Sequence, residues 1–115
     1  MRPARQGKYN ARRTPYKERV YASQAEANTA AHLDRLKTLG VVTDWEYEPK
    51  FELPGGIVYK ADFLVHYAIG RPRVIDVKGV RTAVFNLKVR LMREAYPDVV
   101  IELIKTYREL PLEGR

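Results

Sequence analysis

The hydrophobic positions of this chain switch between helical and strand spacing along its length. The stretch from Ser23 to Leu39 holds good helix-forming residues with no Pro or Gly, and Gly40 follows where a helix is expected to stop. On a helical wheel one side of this region collects Ala22, Ala25, Thr29, Leu33, Leu36 and Leu39. The pattern predicts a first helix over residues 23–39 that packs through this side.

The next part of the chain has the β-favouring side chains and turn residues of a series of strands. Turn signals divide it, first at Pro54-Gly55-Gly56 and then over residues 68–72. The predicted strands are Val42–Glu48, Lys50–Leu53, Ile57–Tyr67 and Arg73–Lys78.

A second helical pattern covers Thr82–Tyr96, stops at Pro97, and is followed by a short apolar strand, Val99–Ile104. A chain of 115 residues is long enough for one domain with a single modest core. We therefore predict an α/β fold in the order α-β-β-β-α-β, with a mixed central sheet flanked by helices. Antiparallel hairpins come first, and a helical crossover adds the last strand.

Basic residues are concentrated near the N-terminus. Residues 1–19 carry seven Lys or Arg against one Glu, a net charge of +6, although the whole chain carries only +7. We predict a flexible basic arm over residues 1–20 and a folded domain over residues 21–115. Phosphate contacts release counterions, so the arm indicates a nucleic-acid partner, with a solubilising tail as the alternative. The arm residues predicted to contact DNA are Arg2, Arg5, Lys8, Arg12 and Arg13.

The composition also excludes several classes of protein. The chain has no cysteine, which rules out disulfides and thiolate zinc sites and favours a reducing, cytoplasmic setting. No apolar run approaches the roughly 18–20 residues that a membrane span needs, so no membrane partner is expected. The N-terminus lacks the apolar centre of a signal peptide.

Residues 73–79, RVIDVKG, set two charges into an apolar strand. Asp76 and Lys78 share one face because strand side chains alternate. If the preceding hairpin is centred near Gly70, residues whose numbers add up to about 140 face one another. Asp62 then lies opposite Lys78, with Asp76 diagonally adjacent, and all three side chains fall on one face of the sheet.

Two neighbouring carboxylates favour a bound cation, because their repulsion otherwise makes one of them take up a proton. Their oxygens suit Mg²⁺, with Mn²⁺ as a substitute, and such a metal lowers the pKa of a bound water. Lys78 would orient or deprotonate that water or stabilise the transition state. This pattern indicates metal-assisted phosphodiester hydrolysis. The alternative is a structural salt bridge between Asp62 and Lys78, with Asp76 as an edge charge.

Several other polar residues each have two interpretations. Glu26 lies at the margin of the apolar side of the first helix, and is either a further member of the site or, with Ser23, part of a capping box. Lys88 lies in the apolar arc of the second helix, one heptad after Arg81, and either holds a phosphate or extends its amine to solvent. His66 shares the Asp62 face, where a lone histidine is more often packed or exposed than a ligand.

Two segments together resemble the PD-(D/E)XK nuclease motif: Tyr59-Lys60-Ala61-Asp62-Phe63-Leu64 and, fourteen residues on from Asp62, Asp76-Val77-Lys78-Gly79. Within that superfamily the chain most resembles small phage-encoded Holliday junction resolvases of the endonuclease I type. The resemblance implies a restriction-endonuclease-like domain over residues 21–115. It implies that Asp62, Asp76, the Val77 carbonyl and Glu26 bind the metal and that Lys78 is the catalytic lysine. Ala61 stands where the motif has Pro, and Asp76 where Glu is commoner.

We therefore expect a metal-dependent, structure-selective endodeoxyribonuclease, a Holliday junction resolvase that acts as a homodimer on four-way DNA junctions. Arg81 and Lys88 are expected to add contacts to the DNA backbone. If the protein is phage-encoded, the host cytosol is its place of action. The alternatives are a restriction- or repair-like nuclease on duplex or flap DNA and a non-catalytic basic nucleic-acid-binding module.

Overall fold

The computed structural model describes residues 12–77 and 81–115, which form two helices and eight short strands. Neither of these helices is long and apolar enough to cross a membrane. In chain order the elements are β1 (Thr14–Tyr16), β2 (Arg19–Tyr21), α1 (Gln24–Thr38), β3 (Val42–Tyr47), β4 (Lys50–Leu53), β5 (Ile57–Lys60), β6 (Phe63–Tyr67), β7 (Arg73–Val77), α2 (Ala83–Ala95) and β8 (Val100–Ile104), with 3₁₀ turns at Pro54–Gly56 and Tyr107–Glu109.

The central sheet has four strands in the order β3-β6-β7-β8. The first two pairings are antiparallel, and β8 joins β7 in parallel after the α2 crossover. Parallel neighbours need such a crossover, because the end of the first strand and the start of the second lie at opposite ends of the strands. The predicted α/β fold with a mixed sheet is confirmed, and α1, β3, β6, β7, α2 and β8 follow the predicted order.

Helix α1 begins and ends where its capping residues dictate. The Ser23 hydroxyl accepts a hydrogen bond from the Glu26 N–H (3.1 Å), which satisfies one of the unpaired donors of the first turn. Gly40 follows the helix with φ of +83°, a left-handed conformation that glycine adopts without a steric penalty. The predicted packing of Leu39 is wrong, since its side chain is 75% exposed beyond the last turn.

The sheet separates two hydrophobic clusters. Odd-numbered residues of β6 and β7, such as Phe63 and Ile75, pack with α1, whereas Val74 packs with α2. Alternating side chains explain this division, because successive residues of a strand point to opposite faces. Phe63 and Ile75 are fully buried, and each such side chain stabilises the fold by roughly 1.5–3 kcal/mol.

The predicted strand Ile57–Tyr67 is divided in two by a break at Ala61 and Asp62. Strand β5 leaves the central sheet and pairs with β4 in a separate hairpin. Two hydrogen bonds fix the break: the Ala61 N–H donates to the Pro49 carbonyl (3.1 Å), and the Asp62 carbonyl accepts from the Glu48 N–H (2.8 Å). Asp62 therefore stands at the entry to β6, outside any regular strand.

The prediction of a flexible arm over residues 1–20 is wrong for its C-terminal end, which is ordered. Residues 14–21 form the β1–β2 hairpin, which packs on α1 with Tyr21 only 2% exposed. Asp34 of α1 binds this hairpin by accepting a hydrogen bond from the Tyr16 hydroxyl (2.7 Å) and pairing with Lys17 (3.0 Å). These contacts are long-range, so the local composition of the arm did not reveal them.

The segment after residue 104, to which no structure was assigned from sequence, is bound to the turn before β7. The Gly114 N–H donates to the Ile69 carbonyl (2.7 Å), and the Gly114 carbonyl accepts from the Arg71 N–H (3.1 Å). Arg73 adds side-chain hydrogen bonds to the carbonyls of Glu113 and Arg115. The C-terminal segment therefore stabilises this turn through hydrogen bonds that a simple hairpin lacks.

Candidate active site

Asp62 and Asp76 lie next to each other where β6 begins and β7 ends. Oδ1 of Asp76 accepts a hydrogen bond from the Asp62 N–H (2.8 Å), and Oδ2 of Asp62 accepts one from the Val77 N–H (2.8 Å). Each carboxylate thus accepts a hydrogen bond from a backbone N–H of the neighbouring segment. The structure brings together the two acids that the sequence placed in one site.

The register of the hairpin differs from the prediction by two residues. The observed partners are Phe63 with Ile75 and Leu64 with Val74, so paired residue numbers add up to 138 rather than about 140. Asp62 consequently lies beside Asp76 and not opposite the position of Lys78. The shift is even, so it does not exchange the faces of the paired strands. Lys78 itself lies outside the described residues.

Tyr59 of β5 provides the second hydrogen bond to Asp76. Its hydroxyl donates to Oδ2 of Asp76, and both side chains are buried, Asp76 completely. Burial first, and then the negative charge of Asp76, raise the pKa of Tyr59 above its ordinary value of 10. The phenol therefore stays protonated and acts as a hydrogen-bond donor to the carboxylate.

Glu26 is held at the same end of the sheet by Tyr47. The Tyr47 hydroxyl donates to Oε1 of Glu26 (2.7 Å) and accepts a hydrogen bond from the Ala22 N–H (3.3 Å). Tyr47 pairs across the strands with Phe63, one residue row from Asp62. Burial, followed by the hydrogen bond to Glu26, raises the pKa of Tyr47. The Ser23 half of the predicted capping box forms, since the Ser23 hydroxyl accepts from the Glu26 N–H.

The donor chemistry of the aspartate pair fits a hard divalent cation. Asp76 is 0% exposed and accepts hydrogen bonds only from uncharged groups, and no basic side chain of residues 12–77 or 81–115 forms an ion pair with it. A buried carboxylate in such surroundings is stabilised by a coordinated metal. Its remaining lone pairs and those of Asp62 are the oxygen ligands that Mg²⁺ or Mn²⁺ takes.

Glu26 does not join the aspartates as a third ligand in this conformation. Within the described ranges, no three acidic or histidine side chains gather closely enough to hold a metal ion. His66 lies away from the aspartates, with Nε2 3.9 Å from a Glu46 oxygen. Val77 contributes its N–H to Asp62, and it ends β7 with a half-buried side chain.

The predicted DNA-contacting residues occupy varied positions. Arg12 and Arg13 are exposed just before β1, and Arg2, Arg5 and Lys8 lie outside the described residues. Arg81 is exposed, donates to Asn86 Oδ1 (3.0 Å) and lies 5.6 Å from the Phe85 ring centre. Lys88 of α2 is partly buried.

The two tyrosines of the site, Tyr47 and Tyr59, were missed from sequence. Neither was assigned a role: Tyr47 was placed in a predicted strand, and Tyr59 in a predicted strand and in the first motif segment. A buried tyrosine needs a hydrogen-bond partner, and this is the signal that would have identified both. Neither partner was predictable, because Glu26 lies 21 residues from Tyr47 and Asp76 lies 17 residues from Tyr59.

Comparison with known proteins identifies the family but not an activity. Residues 6–110 match the model of a family described as a protein of unknown function, DUF1064, and the chain therefore belongs to that family. No curated protein and no solved structure matches the chain significantly.

Proposed function

We propose that this DUF1064 protein is a divalent-metal-dependent endodeoxyribonuclease that cuts branched DNA, chiefly four-way Holliday junctions, by phosphodiester hydrolysis. The observation that carries the proposal is the aspartate pair, in which Asp62 is half-buried and Asp76 is completely buried. Asp62 and Asp76 meet where β6 begins and β7 ends, and within the described residues Asp76 accepts its hydrogen bonds from two uncharged donors, the Tyr59 hydroxyl and the Asp62 N–H. A coordinated divalent cation would offset the charge of this buried carboxylate.

The residues have separate roles in the proposed reaction. Asp62 and Asp76, with the Val77 carbonyl, would hold Mg²⁺ or Mn²⁺, which would activate water and offset charge on the phosphate. Glu26, which accepts from Tyr47 in this conformation, would have to turn toward the aspartates to become a further ligand. Tyr59 keeps Asp76 in place, and Tyr47 keeps Glu26 in place. Lys78, the residue after Val77 in the sequence, orients the attacking water or takes its proton. The water oxygen bonds to phosphorus, one P–O ester bond breaks, and the leaving oxygen takes up a proton.

The basic residues would bind the substrate. Arg12, Arg13 and Arg81 are exposed and available for phosphate contacts, and the arm before them carries Arg2, Arg5 and Lys8. Lys88 on α2 would approach the strand beside the aspartate pair. Because a four-way junction needs two symmetric nicks, we propose that the protein acts as a homodimer, in the cytosol.

Cleavage assays with matched variants test this proposal. Labelled four-way junction and linear duplex are incubated with the protein and Mg²⁺ or EDTA. We expect metal-dependent cutting of the junction that is lost in Asp62→Asn, Asp76→Asn and Lys78→Ala but kept in the control Asp98→Asn, which changes an exposed aspartate. Junction binding, measured by gel shift, should persist in all four variants.

The same assay separates the alternative activities. Equal rates on junction and duplex would indicate a general nuclease. Binding of both DNAs without cutting would indicate a non-catalytic module. Full cleavage activity of the Asp76→Asn protein would show that the aspartate pair does not take part in the reaction.

A further inference from the structure

An open groove of about 350 Å³ lies between the β1–β2 hairpin and the face formed by α1 and β3. Its aromatic walls are Tyr16, Tyr21 and Trp45, and its charged groups are two basic ones, Lys17 and Arg19, and two acidic ones, Glu18 and Asp34. The hairpin carries the end of the basic arm, so exposed Arg12 and Arg13 lead directly to this groove. Aromatic faces beside basic groups are the composition of sites for unpaired nucleotides.

The aromatic walls are held in fixed positions by Asp34. Its carboxylate accepts from the Tyr16 hydroxyl (2.7 Å) at Oδ2 and from the Trp45 indole N–H (3.0 Å) at Oδ1, and it pairs with Lys17 (3.0 Å). Burial pushes the Asp34 pKa upward, but these donors outweigh it and hold the pKa below its usual range. Since Lys17 offsets the charge of Asp34, the carboxylate presents little repulsion to a phosphate in the groove.

Arg19 supplies a positive charge that no ion pair takes up within the described part of the chain. Its exposed guanidinium lies 5.3 Å from the Tyr47 ring centre and 5.9 Å from that of Tyr21. Stacking on these rings fixes the side chain and leaves N–H groups to donate to a phosphate. Tyr47, one of the two rings under Arg19, also donates a hydrogen bond to Glu26 of the candidate active site.

We propose that this groove binds one unpaired nucleotide of a DNA strand, with its base against Trp45 and Tyr16 and its phosphate on Arg19. This inference rests on the proposed function in taking DNA as the ligand, and it names the part of a branched substrate that the protein would hold. An unpaired base at a branch point exposes the flat face that paired bases hide, so the groove would favour junctions over uninterrupted duplex.

Trp45 is the only tryptophan of the chain and reports on the groove directly. The full chain is titrated in EDTA, where a metal-dependent nuclease does not cut, with a dT oligonucleotide while tryptophan fluorescence is recorded. We expect saturable quenching. An oligonucleotide of equal length with abasic sites should bind several-fold more weakly and leave the emission nearly unchanged, because it lacks a base to stack.

Arg19→Ala should weaken dT binding about fivefold or more, and Arg19→Lys should restore part of it. Arg108→Ala is the matched control, since Arg108 also lies over a tyrosine ring, that of Tyr107 (4.9 Å), but away from the groove. Equal quenching by abasic and dT strands, or unchanged binding in Arg19→Ala, would overturn the nucleotide site. Quenching without any junction cleavage would support the nucleotide site and contradict the proposed nuclease activity. Cleavage without quenching would support the nuclease activity and contradict the nucleotide site.

Discussion

The hydroxyl of Tyr59 donates a hydrogen bond to Oδ2 of Asp76 in the fully buried row where β7 ends. This contact joins the separate β4–β5 hairpin to the central sheet at the candidate site. It also explains how a carboxylate with no exposed surface keeps both oxygens hydrogen-bonded, since the Asp62 N–H binds the other one. Tyr59 is thereby placed to determine the position of Asp76.

Tyr59→Phe should lower both stability and metal affinity. A hydrogen bond to a charged group contributes about 1.5–3 kcal/mol, so we expect the free energy of unfolding in urea to fall by about that amount. Loss of an outer partner of a metal ligand typically weakens metal binding about 10- to 100-fold, which Mn²⁺ titration calorimetry would detect. Tyr96→Phe is the control, because its hydroxyl donates to an uncharged backbone carbonyl, that of Glu52 (3.0 Å). Unchanged Mn²⁺ affinity in Tyr59→Phe would remove this tyrosine from the proposed site.

Tyr47→Phe tests the role of Glu26. If Glu26 is a member of the site, losing its 2.7 Å hydrogen bond from Tyr47 should lower the rate of junction cleavage about 10- to 100-fold. The change should have no further effect in a Glu26→Ala background, because the two residues act through one contact. Full cleavage activity in both single variants would show that Glu26 serves only at the helix N-terminus.

Tyr67→Phe should stabilise the protein. The Tyr67 hydroxyl is buried and has no hydrogen-bond partner among the described residues, an arrangement that costs about 1–3 kcal/mol. Phenylalanine keeps the packing and removes the unsatisfied group. We expect the free energy of unfolding at pH 7 to rise by about 1 kcal/mol or more in urea titrations, and a fall would show that the hydroxyl has a stabilising contact.

The same residue should make the protein sensitive to alkali. Burial raises the pKa of Tyr67 to about 12 from its ordinary value of 10.0, and Arg73 opposes this shift. The unfolded chain therefore loses this proton first, so ionisation of Tyr67 leaves the stability of the wild type unchanged below pH 10 and lowers it as the pH rises toward 12. The difference in unfolding free energy between Tyr67→Phe and the wild type should widen by about 2–3 kcal/mol over this interval. A constant difference would contradict the raised pKa.

The site was partly predictable because an error of two residues in the strand register does not move side chains to the other face of the sheet. The predicted register was off by two residues, but only an odd shift exchanges the faces of a strand, and Asp62 and Asp76 still meet through their hydrogen bonds. The break before Asp62 was not predictable, since hydrogen bonds to Pro49 and Glu48 from outside the local sequence create it. The same applies to Tyr59, which reaches Asp76 only after β5 has left the central sheet.

The fold was predictable where local patterns and tertiary packing agree. Helix α1 follows from its helix-forming residues, from Ser23 and from Gly40, and the structure places each as expected. The β1–β2 hairpin carries no comparable local signal, and a basic composition favoured disorder. Its order comes from Asp34, which lies 18 residues from Tyr16 and binds it across the groove.

Gly114→Ala should destabilise the fold through the turn before β7. A Cβ atom on Gly114 would lie 1.9 Å from the Arg71 carbonyl oxygen, a steric clash that only a movement of the backbone can relieve. The segment would have to move away, losing the hydrogen bonds to Ile69 and Arg71 and those from Arg73. At about 0.5–1.5 kcal/mol for each of these four bonds, the free energy of unfolding should fall by about 2–6 kcal/mol in urea. Leu112→Ala, at a 63% exposed position of the same segment, should change it by less than about 1 kcal/mol. Equal stability of Gly114→Ala and the wild type would show that the segment does not support this turn in solution.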